Sequence, residues 1–308
     1  MSAIPMMEYL LWSNCSNNCK FCWQKRLKNE ATWLTDEEKI DSINQCKQAI
    51  DQLGYTDILV VGGEVYGPHT TEVDTALRSL FDKIAQRVKQ DQTRFFYVNT
   101  NLIYEDLSNL DYLINAFEGV VDRIKFTTSA DAYGRFEEGF GAYGAETEEV
   151  VARNLRYLAD TYPELNIVVN TIMTKQFHRQ FVDDPVLKDA ALRPSTFKGE
   201  FGIKHMNLLP YIPIPGDTEL VPTFGQIVAC LEEAESEVPG YISFYVADYD
   251  LNQNKILYQY ERGKGFVECT AQYLPCGHNK NFSKVLPSGE CYVCKIKQYA
   301  IENGKYHE

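Results

Sequence analysis

Three cysteines near the amino terminus have the residue type and spacing of a metal site. Cys15, Cys19 and Cys22 lie within eight residues of each other, so one loop can wrap one iron–sulfur cluster with three thiolates. A four-iron cluster held in this way keeps one iron open to a further ligand. A structural zinc site has four protein ligands, and no fourth Cys or His is nearby in the sequence. A zinc knuckle completed by a distant ligand is the alternative interpretation.

A second group of cysteines lies near the carboxyl end of the chain. Cys291 and Cys294 form a CxxC pair after a glycine-containing turn, and Cys276 precedes the pair by 15 residues. This is the spacing of a metal site, for which Cys269 or His278 can supply a fourth ligand. The group predicts either an auxiliary iron–sulfur cluster, which is the preferred interpretation, or a structural zinc.

The hydrophobic periodicity indicates the fold that must position these residues. Strand-like runs alternate with amphipathic helical runs up to about residue 210, which is typical of a parallel sheet. The expected strands are 7–12, 57–61, 94–99, 123–128, 166–173 and 202–209. The expected helices are one that begins at Thr35, which forms a capping box with Glu38, then 72–89, 107–117, 147–161 and a looser one past His178. Six such βα units predict an α/β fold, a partial (β/α)6 TIM-like barrel in residues 1–210, with a small cysteine-containing extension in residues 211–308.

Polar residues and glycines follow the predicted strands at the ends where the chemistry of such barrels collects. These candidates are the cysteine loop after the first strand, Gly62, Gly63 and Glu64 after the second, Asn99 and Asn101 around the end of the third, Ser129 and Asp131 after the fourth, and Asn170 within the fifth. Their shared position predicts one site at this edge of the sheet. For the asparagines, Ser129 and Asp131, loop capping and turn formation are an alternative explanation.

The cysteine loop, with Phe21 before its last cysteine, resembles the CxxxCxφC loop of the radical S-adenosylmethionine (SAM) superfamily. The order of elements from residue 6 to about 210 is similar to the partial barrel of that superfamily. The resemblance implies that SAM binds the open iron of a 4Fe-4S cluster. It also implies that a one-electron donor, such as flavodoxin or ferredoxin, drives cleavage of SAM to a 5'-deoxyadenosyl radical, which takes hydrogen from a substrate. Because oxygen destroys an exposed cluster, we expect an anaerobic setting.

The same resemblance implies roles for the residues at the strand ends. Phe21 is expected on the adenine side of SAM. Gly62, Gly63 and Glu64 resemble the GGE motif, in which the glycines allow close approach to the methionyl group and the glutamate accepts a hydrogen bond from its ammonium group. The remaining candidates for binding SAM are Ser129 and Asp131 at the ribose hydroxyls, Asn170, and the neighbouring Asn99 and Asn101.

The composition limits the classes of partner and substrate that are compatible with this chain. The chain has 308 residues and a formal net charge of −13, and it has no block of Lys and Arg, so nucleic acid is a poor substrate. No apolar run is long enough to span a bilayer and no signal-peptide pattern is present, which predicts a cytoplasmic protein with no membrane partner. Aromatic and acidic residues after residue 197 favour a small, neutral or cationic heterocyclic substrate, contacted by Tyr211, Asp248 and Asp250.

Three functions are compatible with these features. Within the superfamily, the size and acidic character of the chain resemble those of queuine lyase, which implies C–N cleavage of queuine in 7-deazaguanine salvage. A peptide- or protein-modifying maturase with an auxiliary cluster is the second reading, supported by the carboxyl-terminal cysteines. The third is a metal-stabilised binding protein without catalysis, which predicts no cleavage of SAM.

Overall fold

The computed structural model describes residues 6–15, 19, 33–52, 57–91, 93–129, 145–184, 193–210, 220, 222–250, 255–261, 265–268, 282–285 and 291–292. In these parts of the chain, eleven strands form one sheet in the order β11-β10-β1-β2-β3-β4-β5-β6-β7-β8-β9. The strands are β1 Met6–Leu10, β2 Asp57–Val61, β3 Phe96–Thr100, β4 Ile124–Ser129, β5 Asn166–Met173, β6 His205–Pro210, β7 Ile242–Asp250, β8 Lys255–Glu261, β9 Gly265–Glu268, β10 Phe282–Val285 and β11 Cys291–Tyr292.

Helices connect the consecutive parallel strands and pack on the sheet. They are α1 Asp36–Gln52, α2 Thr71–Gln90, α3 Ser108–Ala116, α4 Ala145–Thr161, α5 Lys175–His178 with a π-helical continuation Arg179–Asp183, α6 Pro194–Gly199 and α7 Phe224–Glu237; a 3-10 turn Val121–Arg123 precedes β4. None of the helices in the described parts of the chain has the length and apolar character that crossing a lipid bilayer requires.

Helix α1 begins where the sequence predicts a capping box. The backbone N–H of Thr35 donates to Glu38 Oε2 at 2.7 Å, and the backbone N–H of Glu38 donates to Thr35 Oγ1 at 3.3 Å. These two bonds satisfy donors that a helix start otherwise leaves without partners. Ile43, Cys46 and Ile50 then lie one turn apart and are buried in the core, so the amphipathic stripe fixes the face that α1 turns to the sheet.

The strands alternate between a covered and an uncovered face. In β4, Ile124, Phe126 and Thr128 are buried, whereas Thr127 and Ser129 are only partly buried. Strand β5 has the same alternation over its whole length. Because the helices cover the apolar face, the half-exposed residues lie on the opposite face, which we call the inner face of the partial barrel.

Strands β1 to β6 lie side by side in chain order and pair in parallel. The sheet does not close on itself among the described residues. An open, six-stranded parallel βα sheet is the architecture that the sequence predicts, so the predicted fold class is confirmed.

The chain beyond residue 210 extends both edges of this sheet. Strand β7 pairs in parallel with β6, and β10 pairs in parallel with β1. Strands β8, β9 and β11 then add antiparallel pairs. The strands of the carboxyl-terminal segment therefore flank the βα units on two sides, and the division of the chain at residue 210 stays a prediction.

Candidate functional site

The structure describes part of the predicted site with side chains. The residues described in this way are Cys15, Cys19, Gly62, Gly63, Glu64, Asn99, Asn101, Ser129 and Asn170. Phe21, Cys22, Asp131, Tyr211, Cys269, Cys276, His278 and Cys294 lie outside the described residues, and of Asp248, Asp250 and Cys291 only the backbone is described.

Hydrogen bonding between the first two βα units continues beyond the ends of β1 and β2. The backbone N–H of Gly63 donates to the Trp12 carbonyl at 2.9 Å, and that of Glu64 donates to the Asn14 carbonyl at 2.9 Å. Parallel pairing is therefore maintained, with an irregular register, up to the residue before Cys15. This pairing places the first cysteine and the predicted GGE motif at the same edge of the sheet.

The two glycines of this motif are required by the backbone that passes beside them. A Cβ atom on Gly63 would lie 2.0 Å from the Asn14 carbonyl oxygen, and one on Gly62 would lie 2.9 Å from the Trp12 carbonyl oxygen and 2.6 Å from Val65 Cγ2. Only glycine allows the segment before the cysteines to approach so closely. Close approach to the methionyl group of SAM, which the resemblance implies, stays a prediction.

Asn14 closes the base of the cysteine loop. Its side-chain Nδ2 donates to the Leu34 carbonyl at 3.0 Å, and its Oδ1 accepts from the Leu34 backbone N–H at 2.9 Å. One amide side chain thus pairs with a backbone N–H and C=O in the way that a neighbouring strand would. Because Leu34 directly precedes the cap of α1, both ends of the segment that carries the cysteines are fixed. Asn14 was not among the predicted site residues; its position just before Cys15 is the available signal.

Glu64 joins the carboxyl ends of β2 and β3. Its Oε1 accepts from the backbone N–H of Tyr66 at 3.0 Å and from Thr100 Oγ1 at 3.0 Å. Its Oε2 accepts from the backbone N–H of Asn101 at 2.7 Å. Burial raises the pKa of the Glu64 carboxyl, although these hydrogen bonds lower it. The carboxylate therefore has a fixed orientation, and the residue is still partly exposed.

Asn101 connects Glu64 to the first cysteine. Its buried side chain donates from Nδ2 to Cys15 Sγ at 3.8 Å, and its backbone donates to Glu64. Cys15 is partly exposed and Cys19 is buried. We call Cys15, Glu64 and Asn101 the cysteine-edge group, because hydrogen bonds link them at the ends of β1, β2 and β3.

A second set of polar residues lies on the inner face. Ser129, Asn170 and Asn207 are register partners across β4, β5 and β6, and Asn207 Nδ2 donates to Asn170 Oδ1 at 2.8 Å. We call Asn170 and Asn207 the amide row, and Ser129 extends it with a hydroxyl group. Asn99 is exposed on β3, beside its register partner Thr127. Asn207 was not among the predicted site residues, although an asparagine between apolar neighbours in a buried strand is a usable signal.

The described residues fit an iron–sulfur cluster at the cysteine edge. Within the part of the chain that the structure describes, no three His, Cys, Asp or Glu side chains form a metal-binding group; Cys22, the third predicted ligand, lies outside that part. Thiol sulfurs with an amide N–H directed at one of them are the donor set typical of iron–sulfur sites, whose sulfurs accept hydrogen bonds from the protein. The residues present are therefore compatible with such a cluster.

Trp12 and His69 contact each other and the backbone that carries Glu64. Trp12 Nε1 donates to the Glu64 carbonyl at 2.9 Å, and its ring contacts His69 edge-on, with the ring centroids 5.2 Å apart. His69 Nε2 lies 3.0 Å from the Val65 carbonyl, so the neutral ring donates there. Burial lowers the pKa of His69 below its ordinary value of 6.5, and the hydrogen bond to Val65 opposes that shift.

The lowered pKa of His69 predicts a loss of stability in mild acid. As the pH falls below about 6.5, the unfolded chain binds a proton at this position before the folded chain does, so the free energy of unfolding decreases. His69→Gln removes that contribution. We expect urea denaturation at pH 7 and pH 5 to show a larger loss of stability for the wild type than for His69→Gln. Equal losses would contradict the assignment of a neutral, partly buried His69.

Solved structures match the fold of the chain, whereas no protein-family model and no curated protein sequence matches it. SuiB of Streptococcus suis, bound to S-adenosylmethionine, is similar with a TM-score of 0.53 and 13% identity, over 94% of this chain and 60% of SuiB. The chain therefore shares the partial-barrel fold of SuiB. The structure of anSMEcpe with bound AdoMet and the Kp18Cys peptide gives a TM-score of 0.52 and 14% identity, over 95% of this chain and 75% of anSMEcpe.

At this level of identity the likeness concerns the fold alone. The chain also spans less than two thirds of the length of SuiB. The two comparisons therefore support the partial-barrel architecture, and the chemistry of the chain has to be argued from its own residues.

Proposed function

We propose that this chain is a radical SAM enzyme that holds a 4Fe-4S cluster at Cys15, Cys19 and Cys22 and binds SAM next to it. The observation that carries the proposal is the cysteine-edge group: pairing beyond the ends of β1 and β2 places Cys15 beside Glu64, and Asn101 contacts both. Supporting this, both of the solved structures described above were determined with SAM bound.

Different residues of the chain would hold the cluster and bind SAM in such a site. The cysteine thiolates hold the cluster, and Glu64 presents a carboxyl group of fixed orientation, which suits an ammonium group. The amide row offers hydrogen-bond donors and acceptors without charge, which suits hydroxyl groups such as those of a ribose. When bound, the cluster supplies the electron that cleaves SAM to methionine and a 5'-deoxyadenosyl radical. The remaining task of the chain is to orient the substrate and to exclude competing hydrogen donors.

For the substrate we propose a small, neutral or cationic heterocycle, with queuine lyase activity as its most specific form. The formal net charge of −13 supports a substrate without negative charge. The alternative is a peptide or protein substrate, and the structure of anSMEcpe with a bound peptide supports that alternative. We further propose a cytoplasmic enzyme that receives its electron from a flavodoxin or a ferredoxin.

We also keep the second metal site as a proposal. The backbone of Cys291 pairs with Val285 of β10, and Val285 pairs with Tyr9 of β1. The first cysteine of the CxxC pair therefore lies only two strands away from the strand that leads into the cysteine loop. This placement is consistent with an auxiliary iron–sulfur cluster or a zinc beside the barrel.

The proposed function is tested by assaying cleavage of SAM. The full-length chain is reconstituted anaerobically with iron and sulfide, reduced with dithionite and incubated with SAM, with controls that lack either iron or reductant. We expect 5'-deoxyadenosine and methionine in equal amounts, in the complete mixture only. A reconstituted protein that carries iron and sulfide but forms no 5'-deoxyadenosine would refute the function, as would a protein that retains only zinc. Adding queuine or a cysteine-containing peptide then separates the two proposed substrate classes by the product formed.

A further inference from the structure

The side chain of Asn101 is fixed by contacts on both sides. Its Oδ1 accepts from the backbone N–H of Ile103 at 2.8 Å, which closes a turn immediately after β3. Its own backbone N–H donates to Glu64 Oε2 at 2.7 Å. With the oxygen of the amide engaged in the turn, the nitrogen is the end that faces Cys15 Sγ, 3.8 Å away. The side chain is only 7% exposed, so water does not compete freely for this donor.

The next residue shows that this conformation is held in place by its surroundings. Leu102 has a φ of 56°, in the left-handed region that non-glycine residues seldom adopt, and its side chain is fully buried. Its backbone N–H donates to Thr100 Oγ1 at 3.2 Å, and its carbonyl accepts from Asn154 Nδ2 at 3.0 Å. Backbone strain of this kind persists where neighbouring contacts determine the conformation, and it is concentrated at functional sites. Here it accompanies the turn in which Asn101 faces Cys15.

We infer that Asn101 is a positioning residue that raises the reduction potential of the cluster through its hydrogen bond to Cys15 Sγ. The inference rests on the proposed function. A cluster gains one negative charge when it takes up an electron, and an N–H donor on a ligand sulfur stabilises that added charge more than it stabilises the oxidised form. Asn101 therefore acts on the cluster through Cys15, and its side chain is not needed as a contact to SAM.

The test compares reduction potentials in the absence of SAM. Asn101→Asp keeps the oxygen that closes the turn and replaces the N–H donor by a second oxygen, whereas Asn101→Ala removes both. Asn99→Asp is the matched control, because it makes the same change two residues earlier, on an exposed side chain of β3. Each full-length protein is reconstituted anaerobically and titrated with dithionite, and the reduced cluster is followed by electron paramagnetic resonance.

At a fixed solution potential, we expect the ratio of reduced to oxidised cluster to fall about tenfold in Asn101→Asp, which for a one-electron couple corresponds to a midpoint about 59 mV lower. Asn101→Ala should shift the midpoint in the same direction, and Asn99→Asp should leave it close to that of the wild type. Unchanged midpoints in both Asn101 variants would overturn the inference.

Two further outcomes separate this inference from the function on which it rests. If Asn99→Asp assembles a cluster and neither Asn101 variant does, Asn101 has a purely structural role and the inference is wrong. If the wild type assembles no iron–sulfur cluster at all, the proposed function fails together with the inference. Cleavage of SAM by the wild type, with equal midpoints in all variants, would leave the function intact and reject only the role of Asn101.

Discussion

Cys19→Ala is expected to abolish the formation of 5'-deoxyadenosine without unfolding the chain. With one of the three thiolates removed, the loop can no longer hold a four-iron cluster in a defined geometry, and cleavage of SAM depends on that cluster. The Cys19 side chain is only 5% exposed, but it is small, so its truncation should cost about 1 kcal/mol of stability. The measurements are iron content after anaerobic reconstitution, 5'-deoxyadenosine yield and urea denaturation.

Cys46→Ala is the matched control, because it makes the same substitution at a cysteine of the core. Cys46 is fully buried in α1, and burial raises the pKa of its thiol, which disfavours the thiolate that a metal would need. We expect this variant to lose about 1 kcal/mol of stability and to keep both its iron and its activity. An active Cys19→Ala variant, or a Cys46→Ala variant that loses its cluster, would show that the ligands have been assigned to the wrong cysteines.

The elements with strong local signals are the ones that the sequence predicts closely. Strands β2 and β5 have the predicted bounds, Asp57–Val61 and Asn166–Met173. Each is a run rich in β-branched residues that is buried on at least one face, and such runs have few other stable conformations. The start of α1 was predicted from Thr35 and Glu38, because a capping box is a contact between residues only three positions apart.

The elements that depend on distant partners were not predicted. Helix α7 and the strands from β7 onward did not appear among the expected elements, and β10 is a run of only four residues. Its parallel pairing with β1 joins residues more than 270 positions apart, so nothing in its local sequence indicates its partner. The strands that flank a sheet are often recognisable only from the edge that they complete.

The candidate site shows the same division between local and distant information. Cys15, Cys19 and Glu64 were predicted from spacing and from their place after a strand, and both are properties of short segments. Asn14 was missed because its partner Leu34 lies 20 residues further along the chain, and Asn207 because its partner Asn170 lies on another strand. The hydrogen bond from Asn101 to Cys15 joins positions 86 residues apart. Sequence periodicity therefore locates the edge of the sheet, but the contacts across that edge come from the packing of separate units.

Gly63→Ala is expected to lower both the stability and the iron content of the chain, because the backbone segments at this edge of the sheet are closely packed. The added Cβ would lie 2.0 Å from the Asn14 carbonyl oxygen and 2.6 Å from that of Ser13. Both neighbours are backbone atoms, so no side-chain rotation can relieve the overlap. The segment before Cys15 must move away from Gly63, and the hydrogen bond from Glu64 N–H to the Asn14 carbonyl is lost. We expect a loss of about 3 kcal/mol in the free energy of unfolding and the loss of most of the bound iron.

Gly225→Ala is the matched control for this substitution. Gly225 is exposed in the first turn of α7, and nothing lies within 4 Å of the position that a Cβ would occupy. Alanine favours a helix over glycine by up to about 1 kcal/mol, so this variant should be as stable as the wild type or slightly more stable, with its full iron content. If Gly63→Ala instead matched Gly225→Ala in both measurements, the cysteine loop could not be anchored by pairing with the GGE segment. The cluster ligands would then have to be positioned by the loop alone, and the pairing of the first two βα units could not be the reason why the chemistry lies at this edge of the sheet.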